Sequence, residues 1–276
     1  MFLGGSVQTT PRPDKFSSVA KGETLHATMH SLWASGFSCV IVRHDGAGDE
    51  EFPLRAMADV ASNCGYDIAV INAGDGNKEH PTQMLLDLYT IWRLKREALE
   101  NGRLTIALVG DVQNSRTIHS LALALAGYPG VRVVLIKPDD EHLPSDIAEH
   151  IAHNGNLIID AFPSVQNCPA GVVDVWYFTR YQAERRDPNR ARISGAAKHY
   201  GRIFGLNEPL LKEMRKDAII MHPLPHGPEF PDGLAENDPR CVHIQQMRNG
   251  LLTRMALLAQ ILNPAVSFVD IVAKQS

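Results

Sequence analysis

Residues 68–94, IAVINAGDGNKEHPTQMLLDLYTIWRL, decide the reading of this chain. An apolar strand at 68–71 enters a turn rich in Gly, Asn and Asp at 72–77, and a helix starts at Pro81. Proline suits the first helical position, where its missing N–H costs nothing. Leu85, Leu86, Leu88, Ile91 and Leu94 then form an apolar stripe at helical spacing. His80, Gln83 and Asp87 share one face of that helix. Its first turn offers unpaired backbone N–H groups and the positive end of the helix dipole. A strand, a tight polar turn and a helix with His and Gln at its mouth describe a small-molecule site of the open α/β type. Taken singly, His80 reads better as an ordinary helix cap and Gln83 as a first-turn residue that caps back. The pattern is specific only as a whole.

Working outward, the same plan recurs. Residues 104–109 are continuously apolar, as a strand covered on both faces requires. They end in Gly110-Asp111, followed by Arg116-Thr117 and a helix over 118–126. Further strands are expected at 38–44, 132–136, 157–159, 172–178 and 218–221. Helices are expected at 23–35, 53–64, 145–153, 208–216 and 245–262. Alternating strands and helices predict an α/β protein of two domains, each a mostly parallel, doubly wound sheet flanked by helices, the first truncated. The division is placed along the organising helix. Residues 1–90 with 246–276 form one domain and 91–245 the other. The stripe Leu251, Leu252, Met255, Leu258, Ala259 and Leu262 on the last helix reads as core.

Composition narrows the function. With 276 residues, 44% hydrophobic and 21% charged, the chain is an ordinary globular one, long enough for two domains. A net charge of −4 without a basic block argues against nucleic acid as a partner. No apolar run reaches bilayer length, so no membrane association is expected. The first residues lack a basic start followed by an apolar core, which is not the pattern of a secretory leader. Cys39, Cys64, Cys168 and Cys241 are scattered, which suits reduced thiols in a cytoplasmic protein. Neither CxxC nor HExxH occurs, and no metal or cofactor is indicated.

The motif N-A-G-D-G-x-x-x-H-P-T-Q-x-L-x-D resembles the aspartate/ornithine carbamoyltransferases, and the aspartate branch in particular. Four other segments extend the resemblance from Lys21 to Pro264. They are Ser17 to Glu23 (S-x-x-x-K-G-E), Gly110 to Ser120 (G-D-x-x-x-x-R-T-x-H-S), Thr179 to Arg185 (T-R-x-Q-x-E-R) and His222 to His226 (H-P-L-P-H). The resemblance implies that Arg43 and His80 polarise a carbamoyl C=O. Gln83 and the Leu224 carbonyl would hold its NH2 group, with the two prolines beside Leu224 keeping that segment extended. Arg116, Thr117, Arg180, Gln182 and Lys21 would hold an amino acid or dicarboxylate such as aspartate, for which the planar guanidinium fork is suited. Ser17 and Lys21 would act across the boundary of a homotrimer, and the last helix would cross back onto the first domain.

Two departures shape the expected chemistry. The family carries a Ser-Thr-Arg-Thr run at a helix N-terminus that cradles phosphate. Thr9-Thr10-Pro11-Arg12 is a poor counterpart, since proline removes a donor. The H-P-L-P-R motif ends here in His226. The expectation is therefore an enzyme of carbamoyltransferase descent acting on aspartate, a related amino acid or an N-carbamoyl amino acid, with an altered donor or reaction. The alternative is a catalytically inactive structural or regulatory homologue that assembles with itself or with a complete relative.

Overall fold

A computed structural model describes residues 6–7, 23–44, 53–75, 79–154, 158–183 and 196–263. The chain divides into two compact units, Met1–Gly76 with Arg254–Ser276, and Asn77–Thr253. The division at Gly76 lies upstream of the helix along which the sequence reading drew it.

In the first unit, helix α1 (Leu25–Ala34) opens on Thr24, whose hydroxyl accepts from the Ala27 N–H at 3.2 Å. Strands β1 (Cys39–His44) and β2 (Ala69–Asp75) pair in parallel, and helix α2 (Pro53–Asn63) connects them. Met29, Ala61 and Ile68 form the buried centre, packed by Leu32, Phe37, Val40, Val60 and Val70. Strand β2 runs four residues beyond the expected strand end, through Asn72 to Asp75. The stretch read as a turn is thus mostly strand. Its irregularity is absorbed by a register shift between Val42 and His44 and by Gly74 at φ +131°, whose N–H donates to the Asn72 side chain at 2.7 Å.

The second unit holds a five-stranded parallel sheet of β3 (Thr105–Val109), β4 (Arg132–Ile136), β5 (Ile158–Phe162), β6 (Val175–Phe178) and β7 (Ile219–Met221), ordered β5-β4-β3-β6-β7. The strands alternate faithfully. Ile106, Leu108, Val133, Leu135, Val175, Tyr177, Ile219 and Met221 face one apolar layer. Helices α3 (Pro81–Glu100), α4 (Arg116–Leu125) and α5 (Ser145–Asn154) supply Ile91, Leu99, Ile118, Leu121, Leu125, Ile147 and Ile151 to that layer. Ala107, Val109, Val134, Ile136, Trp176, Phe178 and Ile220 face the other. There α6 (Ala196–Phe204), α7 (Glu208–Glu213) and α8 (Asp232–Ala235) contribute Tyr200, Phe204, Leu210 and Ala235. Both faces of the sheet are covered, as the apolar run at β3 required. Helix α3 lies whole in this unit because Ile91 and Leu99 are sealed in its core.

Three readings need correction. Helix α6 was missed, although Tyr200, Ile203 and Phe204 carry helical spacing, because Gly201 interrupts the pattern. Gly201 is needed there: a Cβ would stand 2.7 Å from the Pro228 carbonyl oxygen. The run read as one strand from residue 172 starts with a 3-10 turn, Ala170–Val172, before β6. On the last helix, α9 (His243–Leu262), Leu251 is 62% exposed and Leu262 48% exposed; the buried apolar residues are Ala256 and Ala259.

Gly110, at the carboxyl end of β3, sits at φ +113°, and a Cβ would stand 2.9 Å from the Thr179 carbonyl oxygen and closer still to the Tyr200 hydroxyl. Gly110→Ala is expected to cost about 1–3 kcal/mol from backbone strain alone, read by urea unfolding. Gly233→Ala, where a Cβ meets open space in a helix, is the control and should change stability by less than about 0.5 kcal/mol.

Candidate active site

The strand order of the second sheet locates a crevice. From β3 the chain moves outward to β4 and β5, then returns to place β6 on the opposite side of β3. In open α/β sheets, ligands bind at the carboxyl ends of the strands where the order reverses. Here that point lies between β3 and β6. Arg116 and Thr117 open helix α4 after β3, and Thr179, Arg180 and Gln182 follow β6. His222 to Leu224 follow β7, the next strand along. The residues singled out in this unit therefore gather on one edge of one sheet.

Hydrogen bonds lock these strand ends together. Asp111, fully buried, accepts from the Gln182 N–H at 3.1 Å with one oxygen, and from the Asn114 backbone and side chain at 3.2 and 2.8 Å with the other. One carboxylate thus joins the loop before Arg116 to the segment after Arg180. The Tyr200 hydroxyl donates to the Thr179 carbonyl at 2.9 Å from the far face. Arg116 is buried and Arg180 half-buried, the latter donating to the Tyr181 carbonyl at 3.1 Å. Gln182 is buried.

Helix α3 brings His80 and Gln83 to the same edge. The His80 N–H donates to the Ser120 hydroxyl of α4 at 2.8 Å, which fixes the mouth of one helix beside the first turns of the other. Neither side chain caps the helix. His80 makes no capping hydrogen bond, and Thr82 lies 3.4 Å from its Nδ1. Gln83 turns its Nε2 to Asp87 at 2.9 Å instead of reaching back. The bland account of each residue as a cap is thereby removed.

Asp87 is the centre of a network that the sequence reading did not assign to the site. It is fully buried and accepts from Gln83, from the Tyr177 hydroxyl at 2.7 Å and from Gln246 Nε2 at 2.6 Å. Burial, then the charge of Asp87, pushes the Tyr177 hydroxyl well above its ordinary range, so it stays a donor; Thr117 contributes a further hydrogen bond to it. Next along helix α9, Asn249 donates to Thr90 at 2.9 Å. Gln246 and Asn249, three residues apart on a mostly apolar helix, are a legible signal of a buried polar seam.

The His222 segment differs from expectation. The two prolines do not hold it extended: Leu224 adopts φ +58° and its bond to Pro225 is cis. His222 Nδ1 accepts from the Leu224 N–H at 2.9 Å, so its Nε2 carries the proton and donates to Glu229 at 3.1 Å. Burial lowers the His222 pKa, against the pull of Glu229. Burial would raise the Glu229 carboxyl, but hydrogen bonds from His222 and from backbone amides outweigh it and hold it below its ordinary value. His226, in the place of the family's arginine, lies 3.3 Å from Asp232 and packs edge-on against His222.

Arg43 belongs to the first unit, exposed, at the register shift of β1. Ser17 and Lys21 lie outside the described residues. A cavity of about 320 Å3 opens at the ends of β3 and β4, lined by Gln113, Asn114, Asp140, His142, Leu143 and Pro144. None of the predicted site residues lines it. Among the described residues no cluster suited to a metal ion is present, and no helix is long and apolar enough to cross a membrane.

Residues 1–93 match the carbamoyl-phosphate binding domain, and residues 102–261 the aspartate/ornithine binding domain, of the aspartate/ornithine carbamoyltransferases. The chain belongs to this family. It is 38% identical over 261 residues to the chloroplastic aspartate carbamoyltransferase 1 of Pisum sativum, covering 94% of this chain and 62% of that protein. It is 36% identical over 266 residues to the aspartate carbamoyltransferase catalytic subunit of Clostridium acetobutylicum, covering 94% of this chain and 78% of that one. The aspartate transcarbamoylase of Trypanosoma cruzi, solved with carbamoyl phosphate and aspartate, superposes with a TM-score of 0.76 at 32% identity, over 93% of this chain and 76% of that one. The chain spans less than two thirds of the length of the pea relative. The two-domain α/β fold, with parallel sheets flanked by helices, is that of the aspartate transcarbamoylases.

The protonation of His222 yields a test. Unfolded, the imidazole takes up its proton near pH 6.5; folded, burial holds that value lower. Between the two values the unfolded chain binds the extra proton, so stability rises with pH through this window. It is complete above about pH 6.5 and declines as pH falls toward the folded value. His243, also lowered chiefly by burial, acts in the same direction. The Tm is expected to drop between pH 7 and pH 5. His222→Gln, which keeps an amide donor for Glu229, should flatten that slope in calorimetry without abolishing it.

Proposed function

We propose that the chain catalyses an aspartate carbamoyltransferase-type reaction, in which the amino nitrogen of aspartate attacks a carbamoyl carbon, loses a proton and displaces the group on its other side. The observation that supports this best is the β3/β6 reversal, with Arg116 and Arg180 on its two sides and His80, Gln83 and Leu224 on the same sheet edge. Two guanidinium groups supply the bidentate anchors that a dicarboxylate demands. His80 polarises the carbamoyl oxygen as charge develops on it, the role that family likeness also gives Arg43, while Gln83 and the Leu224 carbonyl hold the amide NH2. Gln182, held through its backbone by Asp111, adds a polar contact to the amino acid, and Thr117 closes the floor beside Tyr177. The T. cruzi relative, solved with carbamoyl phosphate and aspartate, points to the same pair of ligands.

A homotrimer, with Ser17 and Lys21 completing a neighbour's site, follows from the family likeness of their motif. Four free cysteines fit a thiol-reducing compartment, the cytosol or an organelle such as that named for the pea relative.

A second reading, in which the donor differs from carbamoyl phosphate, draws on His226. A histidine held near Asp232 presents neither the permanent charge nor the fork of the family's arginine. Phosphate release from carbamoyl phosphate, dependent on L-aspartate, decides between the two. Release supports the first reading; succinate binding without release supports the second.

Arg116→Lys and Arg180→Lys are each expected to weaken succinate binding by roughly 10–100-fold, the loss of one charge-assisted hydrogen-bonded pair of about 1.5–3 kcal/mol. Titration calorimetry reads the change. Unaltered binding in either variant would remove that arginine from the site.

A further inference from the structure

We propose that the buried Asp87–Gln246 pair is the positioning device of the amide-binding site, holding the Gln83 carboxamide and the Leu224 backbone carbonyl so that both accept from the single NH2 group of a carbamoyl ligand. The inference rests on the functional reading above and assigns it two residues which that chemistry does not otherwise use.

An ionised carboxylate accepts hydrogen bonds and donates none. Both amides that touch Asp87 must therefore present their NH2 ends to it. Gln83 does so at 2.9 Å and Gln246 at 2.6 Å, both on the same carboxylate oxygen. The Tyr177 hydroxyl donates to the other oxygen at 2.7 Å and ties the carboxylate to the centre of the sheet. With its NH2 end fixed on Asp87, the Gln83 carboxamide has its oxygen turned the other way, as an acceptor for a ligand. That oxygen selects a partner with N–H to give, such as a primary amide.

The chain of fixed orientations continues in the other direction. The Gln246 oxygen accepts from the His222 N–H at 3.0 Å. The ring of His222 is set by two further bonds, from the Leu224 N–H at 2.9 Å and to Glu229 at 3.1 Å. Leu224, at φ +58°, is a left-handed non-glycine residue, a conformation held by its surroundings. Each link from Gln83 through Asp87, Gln246 and His222 to Leu224 thus has one allowed sense of donor and acceptor. Gln83, Asp87, Gln246 and His222 are all less than a tenth exposed, so water does not compete for these bonds. Two acceptors on separate elements, a helix mouth and a loop after β7, are wired through one buried carboxylate.

The experiment compares two ligands. N-carbamoyl-L-aspartate carries the amide and succinate does not, so the ratio of their affinities isolates amide recognition. Asp87→Asn keeps the shape but lets the Gln83 carboxamide reverse. Calorimetric titration of the full chain is expected to show N-carbamoyl-L-aspartate weakened about tenfold or more and succinate almost unchanged. In a Gln83→Ala background, Asp87→Asn should leave the ratio where Gln83→Ala alone puts it, because the two act through one contact. Should Asp87→Asn not fold, Gln246→Met removes the second link of the chain and is expected to shift the ratio in the same direction. Equal weakening of both ligands, or an Asp87→Asn effect that persists undiminished without Gln83, would overturn the positioning role and leave the pair as core packing. A wild-type chain that binds both ligands alike would overturn the amide reading itself, and this inference with it.

Discussion

A carboxylate sealed from water is tolerated only when donors surround it, since an isolated buried charge is far too costly. Asp87 meets that condition with Gln83, Tyr177 and Gln246, which come from helix α3, strand β6 and helix α9. The requirement works in both directions. The three elements supply the donors, and the carboxylate in turn forbids them to slide or rotate against one another. An apolar contact of similar area would hold the same elements with much looser register, because hydrophobic packing carries no direction. Precision at the mouth of α3 is thus built from beneath it, one helical turn below the residue that would touch a ligand.

Much of the architecture was legible because it depends on periodicity. The unbroken apolar run ending at Val109 announces a strand covered on both faces, and Ile106 and Leu108 do face one layer while Ala107 and Val109 face the other. The Gly110-Asp111 stop and the Pro81 helix start are equally local, and their elements form as read, while the helix expected over 118–126 starts two residues earlier, at Arg116. What periodicity misses is context. Gly201 inside α6 looks like a helix breaker, yet its absent side chain is what admits the Pro228 carbonyl. Leu251 and Leu262 continue an apolar stripe, yet lie exposed, since spacing states which residues share a face but not what covers it. Leu224 sits between two prolines that favour extension, and its neighbours impose the opposite backbone.

The site divides along the same line. Residues at the ends of strands could be named because the open α/β plan says where ligands lie before any contact is known. Arg116, Arg180 and Gln182 stand at such ends, but it was the likeness of their motifs to the family's that singled them out; the sheet sets them on one edge. Asp87 and Tyr177 could not be named, because each alone is indistinguishable from an ordinary residue of a helix or a strand, and Gln246, with Asn249, marks a buried polar seam without saying what it meets. Their meaning is pairwise: residues 87 and 246 are 159 positions apart. Asp111 shows the same limit in milder form. It was noticed as part of a motif, but its work, joining the loop before Arg116 to the backbone of Gln182, is visible only once the two loops are side by side.

The two buried carboxylates suggest how one edge of the sheet holds both halves of a ligand. Asp111 orders the ends of β3 and β6, where the arginines stand; Asp87 orders the mouth of α3 and, through Gln246 and His222, the end of β7. Asp111 accepts from backbone and amide donors, and Asp87 from two amides and a tyrosine hydroxyl. Under the function proposed above, selectivity at this edge is a division of labour: the cations would meet the carboxylates of the ligand, and the oriented acceptors its amide.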